Sequence, residues 1–299
     1  MRKNRLDRRE FLGRSLALAG AAGLAGSRGG ATAAETASET GGGIPPRKFR
    51  LGMVTYMMGA KMDLPTLIKT CKETGLEGVE LRTTHAHGVE PTIGADKRAE
   101  VKKMFAQSGI ILWGLGTTCE FHSPKADELR KQIATAGEFC KLAKDVGAKG
   151  VKVRPNALPK EVPVEKTLEQ IARSLAECGK MADDNGVEIW LEIHGGVTDP
   201  TRIRTIMDLC NHPKVGLCWN SNATDVKDGS VKESFTLLRK NLMSCHITNL
   251  FSASYPYREL FTLMRQTGYD RFTLAEIQAE PDPVAALKKY REQWEKLSS

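Results

Sequence analysis

The sequence predicts an α/β protein, a single-domain (β/α)8 barrel of the TIM type, and three observations carry that prediction. From residue 49 to residue 299, strand-like and helix-like patterns alternate eight times with no linker between them. Eight such units in roughly 240 residues imply parallel strands joined by helical crossovers. No G-x-G-x-x-G follows any strand, which argues against an open doubly wound sheet with a dinucleotide site.

The first strand is read as Leu51–Met57, followed by a helix over Asp63–Thr74 with Leu64, Leu67, Ile68 and Cys71 in phase and Asp63 as N-cap. Strand two is Gly78–Arg82, with Val79 and Leu81 on one face and Glu80 on the other; a loop, Thr83–Ile93, leads to a helix near Lys97–Gln107. Strand three, Ile110–Gly116, precedes a helix over Ala126–Val146. Strand four, Gly150–Arg154, sets Val151 and Val153 opposite Lys152 and Arg154, and its helix covers Val164–Asn185.

Strand five lies in Val187–Gly196, VEIWLEIHGG, bounded by Asn185-Gly186 and Gly195-Gly196. Val187, Ile189, Leu191 and Ile193 suit a helix-facing side, while the opposite phase delivers Trp190 and then Glu192 to the strand's C-terminal end. A helix over Pro200–Cys210 follows. Strand six, Val215–Asn220, alternates Val215, Leu217 and Trp219 against Cys218 and Asn220; a helix near Lys232–Lys240 precedes strand seven, Leu242–Thr248, where Ser244, His246 and Thr248 share a face. A helix over Tyr257–Gln266, strand eight over Phe272–Gln278 and a last helix opened by Pro283 complete the barrel.

Residues 1–33 read as a cleaved export signal: Asp7-Arg8-Arg9-Glu10-Phe11-Leu12 is a twin-arginine pattern, Leu16–Gly26 is mildly apolar, and Ala31-Thr32-Ala33 suits a signal peptidase. The expected partner is the twin-arginine machinery, with a periplasmic or extracellular destination. Residues 34–48, with Gly41-Gly42-Gly43 and Pro45-Pro46, form a flexible leader, and the barrel occupies 49–299. The segment 1–33 holds seven basic and two acidic residues, so without it the formal charge falls from +8 to +3. A nucleic-acid partner is therefore not expected. No stretch of the barrel approaches the roughly 20 apolar residues of a membrane span, so no stable anchor is expected. The seven cysteines form no C-x-x-C pair and fall at apolar positions, so they read as small buried hydrophobes. Oligomeric state stays open, a homo-oligomer included.

In such barrels chemistry sits at the C-terminal strand ends. The inward-phase polar residues there are Glu80, Lys152, Arg154, Glu192, Asn220, His246 and Glu276. Two carboxylates, an imidazole and an amide oxygen converging on one mouth suit a divalent metal: Mn²⁺, Mg²⁺ or Co²⁺, with Zn²⁺ also compatible. His85 and His87 lie in a loop at the same mouth and are candidates for substrate contact. His122 follows strand three and is read either way, whereas His212 precedes strand six at the opposite face and reads as structural. Lys152 and Arg154 either neutralise Glu80 in the lumen or bind an anionic or ketonic oxygen.

The segments Leu191–Gly196, Val215–Asn220, Cys245-His246-Ile247-Thr248 and Ala275-Glu276 resemble the xylose-isomerase-like barrel superfamily, and within it the sugar phosphate isomerase/epimerase group. The resemblance runs from about Phe49 to the C-terminus. It implies one divalent metal held by Glu192, Asn220, His246 and Glu276, a substrate-contacting Glu80, and a role for His194 like that of the His in the family's E-x-H-G stretch. It also implies that Glu192 and Glu276 flank a carbohydrate substrate, one removing a proton next to a carbonyl and the other returning it. The second ligand is Asp in most relatives and Asn220 here, which leaves two carboxylates rather than three and predicts weaker metal binding. Export favours a free sugar, keto-sugar or oxidised glycoside over a sugar phosphate. The competing readings are a lyase or hydratase using the same proton abstraction, and a metal-free, non-catalytic sugar-binding barrel. A related nuclease is disfavoured by the modest charge and the few histidines.

Overall fold

A computed structural model describes residues 44–299. The strands and helices are β1 (Arg50–Val54), α1 (Leu64–Thr74), β2 (Gly78–Arg82), α2 (Ala95–Ser108), β3 (Ile111–Gly116), α3 (Ala126–Val146), β4 (Gly150–Val153), α4 (Val164–Asp184), β5 (Glu188–Glu192), α5 (Pro200–Cys210), β6 (Val215–Trp219), α6 (Lys232–Leu238), β7 (Leu242–Ile247), α7 (Tyr257–Gln266), β8 (Phe272–Ala275) and α8 (Pro283–Ser298). Each strand pairs in parallel with the next, and β8 returns to β1 from Arg50↔Phe272 to Met53↔Ala275, so the sheet closes into a barrel. The (β/α)8 architecture expected from the alternating patterns is the one observed. The proposed signal, 1–33, and the leader up to residue 43 lie outside the described residues. The leader's last residues are held: Arg265 donates to the Pro45 carbonyl at 2.7 Å, and Arg47 to Ser298 Oγ at 2.7 Å.

Local chemistry places several boundaries. Asp63 accepts from Thr66 N at 2.9 Å and Gly75 closes α1 in the left-handed region. Asp199 and Asp282 cap α5 and α8 in the same way, each followed by proline. The first strand is shorter than expected. It ends at Val54, where the Thr55 hydroxyl takes the Arg82 N–H at 2.9 Å, and the chain turns away over Thr55–Gly59 with Tyr56 extended at φ −70°, ψ 121°. The last strand also stops early: Glu276 N makes a ladder bond of 2.9 Å to the Ile247 carbonyl, and β7 ends there.

Period two sorts the strand residues between two cores. Ile189 and Leu191 join the large outer core between barrel and helices, whereas Trp190 joins Val54, Trp113, Cys218, Phe272 and Leu274 inside the barrel. Trp113 stacks on Trp190 with ring centres 5.2 Å apart. The indole fits because positions 114 and 150 are glycine; a Cβ at either would lie 2.5 or 2.6 Å from Trp190 ring carbons. Below this layer Glu188 is held by Arg271 at 2.7 Å and by the Trp190 indole at 2.9 Å. The lumen is thus filled from the bottom, and only its C-terminal end is left for chemistry. All seven cysteines are buried and unpaired, and no helix among the described residues is long and apolar enough to cross a membrane.

Candidate active site

The inward phase of the strands lifts five ionisable groups above the tryptophan layer: Glu80 on β2, Lys152 on β4, Glu192 at the end of β5, His246 on β7 and Glu276 just past β8. Glu80 and His246 are 0% exposed. Their side chains meet at 3.2 Å through Glu80 Oε2 and His246 Nε2. With Nε2–H donating to Glu80, the other ring nitrogen turns towards the mouth. His246 Nδ1 lies 3.5 Å from Glu192 Oε1 and 3.7 Å from Glu276 Oε2, is buried, and has no hydrogen-bond partner. Lys152 Nζ grips the far oxygen of Glu192, Oε2, at 2.7 Å.

This arrangement fits a metal ion. Donor atoms of Glu192, His246 and Glu276 all lie within 4.8 Å of one another. Bonds of about 2.0–2.2 Å place neighbouring donors about 3.0–3.6 Å apart, close to the 3.5 and 3.7 Å found here. An orphaned imidazole nitrogen between two carboxylate oxygens is a donor set without an acceptor, and a buried carboxylate on the other ring nitrogen is the usual support of a ligating histidine.

Electrostatics separate the two glutamates facing His246. Burial works against Glu192 ionisation, but the Lys152 ammonium and His246 outweigh it and hold its pKa well below the usual value. Glu276 is pushed up by burial and by the neighbouring Glu192 and Glu80, against the pull of His246 and Lys152. Burial alone would lower His246; Cys218, Glu80 and Glu276 reverse this and hold it well above an ordinary histidine. A divalent ion held by this cluster would compete with a proton for Nδ1.

Glu276 is the more accessible of the two glutamates, 17% exposed at the side chain against 2% for Glu192. It forms part of the floor of a cavity of about 870 Å³ that reaches from His194 to the first turns of α8. His194 is oriented by Asn156 Oδ1 at 2.9 Å. Gly195, at φ +64°, lets the chain turn against the Asn156 carbonyl.

Several expected roles change. Glu80, fully buried behind His246, supports the imidazole and is not exposed to substrate. Asn220 is near the site, but its amide oxygen accepts from Ser221 N at 2.9 Å and its NH2 group faces Glu192 Oε1 at 3.4 Å. The amide thus bridges two protein groups and does not aim its oxygen into the donor cluster. Neither basic residue pairs with Glu80: Lys152 holds Glu192, and Arg154 pairs with Glu120 at 3.5 Å. His87 has both ring nitrogens in backbone hydrogen bonds, to Arg82 O at 2.8 Å and Val89 N at 3.0 Å, so it builds the loop. His85 sits against Thr55 Oγ1 at 2.9 Å, and burial together with Arg82 pushes its pKa down to about 4. His122 accepts from Asn156 N at 3.4 Å, and His212 accepts from Lys214 N at 3.2 Å before β6.

The sequence reading passed over Asn156, Tyr56 and Phe251. Asn156 lies two residues beyond an inward-phase arginine, which marks the strand-four end. The two aromatics sit in loops just past strands one and seven, where a large apolar side chain has no helix face to cover.

Residues 68–297 match the xylose isomerase-like TIM barrel family. The chain belongs to that family. The chain superposes on solved structures at low identity. The apo 3-keto-D-glucoside 4-epimerase of E. coli is 15% identical with a TM-score of 0.69, over 84% of this chain and 99% of that one. The IOLI protein, solved with a zinc atom, is 16% identical with a TM-score of 0.71, over 84% and 98%. An L-ribulose 3-epimerase is 13% identical with a TM-score of 0.72, over 84% and 94%. No curated protein sequence matches the chain.

Proposed function

We propose that this xylose isomerase-like barrel is a carbohydrate isomerase or epimerase that moves a proton on a carbon next to a sugar carbonyl. The observation that carries the reading is the convergence of Glu192, His246 and Glu276, the last of which also lines an open cavity. Similarity to an L-ribulose 3-epimerase and a keto-glucoside 4-epimerase supports the same class.

Glu276, the more accessible of the two carboxylates facing His246, is the group that exchanges the proton with carbon. Glu192, fixed as an anion by Lys152, is its partner carboxylate. Glu192, His246 and Glu276 would hold one divalent metal, of the Mn²⁺, Mg²⁺, Co²⁺ or Zn²⁺ type, which when bound stabilises negative charge on the substrate oxygen. Glu80 fixes the ring of His246, and His194, set by Asn156, offers a hydrogen bond to a sugar hydroxyl.

The twin-arginine pattern supports export by that route. A destination outside the cytoplasm makes an unphosphorylated keto-sugar the preferred substrate.

Incubating the protein with Mn²⁺ and a panel of ketoses and 3-keto-sugars, followed by chromatography, tests the reading. A new isomer or epimer that disappears on chelation is expected. Elimination or hydration products instead would move the chain to the lyase reading, and no conversion together with tight sugar binding would favour a binder.

A further inference from the structure

The cavity is much larger than one sugar ring requires. It measures about 870 Å³, whereas a free hexose fills on the order of 200 Å³, the liquid volume of about seven waters. Besides Glu276 and His194, the lining takes in Tyr56 just past β1, Phe251 past β7, Ile277 past β8, and Ala286 and Lys289 on α8, and this part forms an outer chamber.

Phe251 is the most conspicuous part of this outer chamber, at 63% exposed. Leu250, its neighbour in the chain, is buried, and Phe251 N donates to Asn249 Oδ1 at 3.0 Å, so the turn presents the ring to the cavity while its neighbour anchors the loop. Leaving a phenylalanine in water forgoes about 2 kcal/mol of burial. Tyr56, 42% exposed, adds a second aromatic surface, backed by a near-parallel His85 ring at 6.4 Å. The charges in the lining are Glu276, Glu280 and Asp282 against Lys289, which disfavours a phosphate and suits an uncharged group. A flat ring with an apolar face matches this chamber by area and by stacking.

We propose that the outer chamber is a subsite for the ring-sized, uncharged aglycone of a glycoside, with Phe251 as its stacking platform. The substrate is then a keto-glycoside rather than a free keto-monosaccharide. The inference rests on the proton-transfer reading only for which end of the molecule lies over Glu276.

Calorimetric titration of the full chain with phenyl 3-keto-glucoside, 3-keto-cellobiose and free 3-keto-glucose tests it. One of the two glycosides should bind at least about tenfold tighter than the free sugar, and the tighter one identifies an aryl or a sugar aglycone. Phe251→Ala should bring that ratio to within about threefold, while Phe251→Trp should retain it. Equal binding of all three by the wild type, a ratio untouched by Phe251→Ala, or no binding of any probe overturns the subsite. Solvent deuterium uptake, followed in parallel, separates the two readings. Glycoside preference without uptake keeps the subsite and removes the proton-transfer chemistry; uptake without preference does the reverse.

Discussion

His246 Nε2 and Glu80 Oε2 lie 3.2 Å apart with both side chains fully buried, so one ring nitrogen of His246 is committed and the other is aimed at Glu192 and Glu276. The pair makes Glu80 a positioning residue for the His246 imidazole in the candidate cation site. Glu80→Gln keeps the shape and removes the charge that fixes the tautomer. Mn²⁺ affinity measured by calorimetry should fall about 10- to 100-fold; unchanged affinity would detach Glu80 from the site.

Asn220 poses the converse case. Asn220→Asp places an anion beside Glu192 Oε1, now 3.4 Å from the amide nitrogen. Metal-free protein should lose stability through like-charge repulsion, while Mn²⁺ affinity should rise about tenfold, or about 1.4 kcal/mol. A larger metal-induced rise in Tm than in the wild type reports both effects. Equal rises would show that residue 220 does not sense the cation.

Asp225 yields a pH prediction away from the cation site. It is 1% exposed, accepts from Tyr255 OH at 3.0 Å and Asn222 N at 2.9 Å, and leaves its Oδ1 unpartnered. Burial pushes its pKa up from 3.8 to about 7, against the two hydrogen bonds. The folded state therefore binds more protons than the unfolded state between those values, and stability falls as pH rises from about 4 to about 7. Asp225→Asn removes this pH dependence, so its unfolding free energy from urea titration should gain on wild type across that window, by at most about 4 kcal/mol. Parallel curves for the two proteins would contradict the shift.

Export depends on the arginine pair if the signal is read as proposed. Replacing Arg8 and Arg9 together with lysine should leave the precursor uncleaved in the cytoplasm in a fractionation assay. Normal export would exclude the twin-arginine route.

The barrel was legible in the sequence because strands and helices alternate eight times and several strands carry a two-residue period. Trp190 and Glu192 share a phase opposite Ile189 and Leu191, and that alone places one set in the lumen. The same phase argument brought Glu80, Lys152, Glu192, His246 and Glu276 together. It could not say which pairs form. Glu80 binds His246 and not Lys152, because the partner depends on side-chain reach across the lumen, which periodicity does not encode. Nor does it give loop orientation: His87 looks free in the sequence, yet the turn over residues 83–89 folds its two nitrogens onto backbone groups. Phe251 was missed for the same reason, since an aromatic in a loop has no phase.

The most direct test of the central claim is proton exchange at carbon. Wild-type protein with Mn²⁺ and a 3-keto-glucoside in heavy water should incorporate deuterium next to the carbonyl, detected by NMR. Glu276→Gln should keep the fold and slow incorporation by about 10²- to 10⁴-fold, the usual worth of a general acid–base group. Incorporation by the variant within a factor of about two of wild type would remove Glu276 from the chemistry; absence of incorporation by the wild type across keto-glucosides, free keto-glucose and ketoses would contradict the account itself.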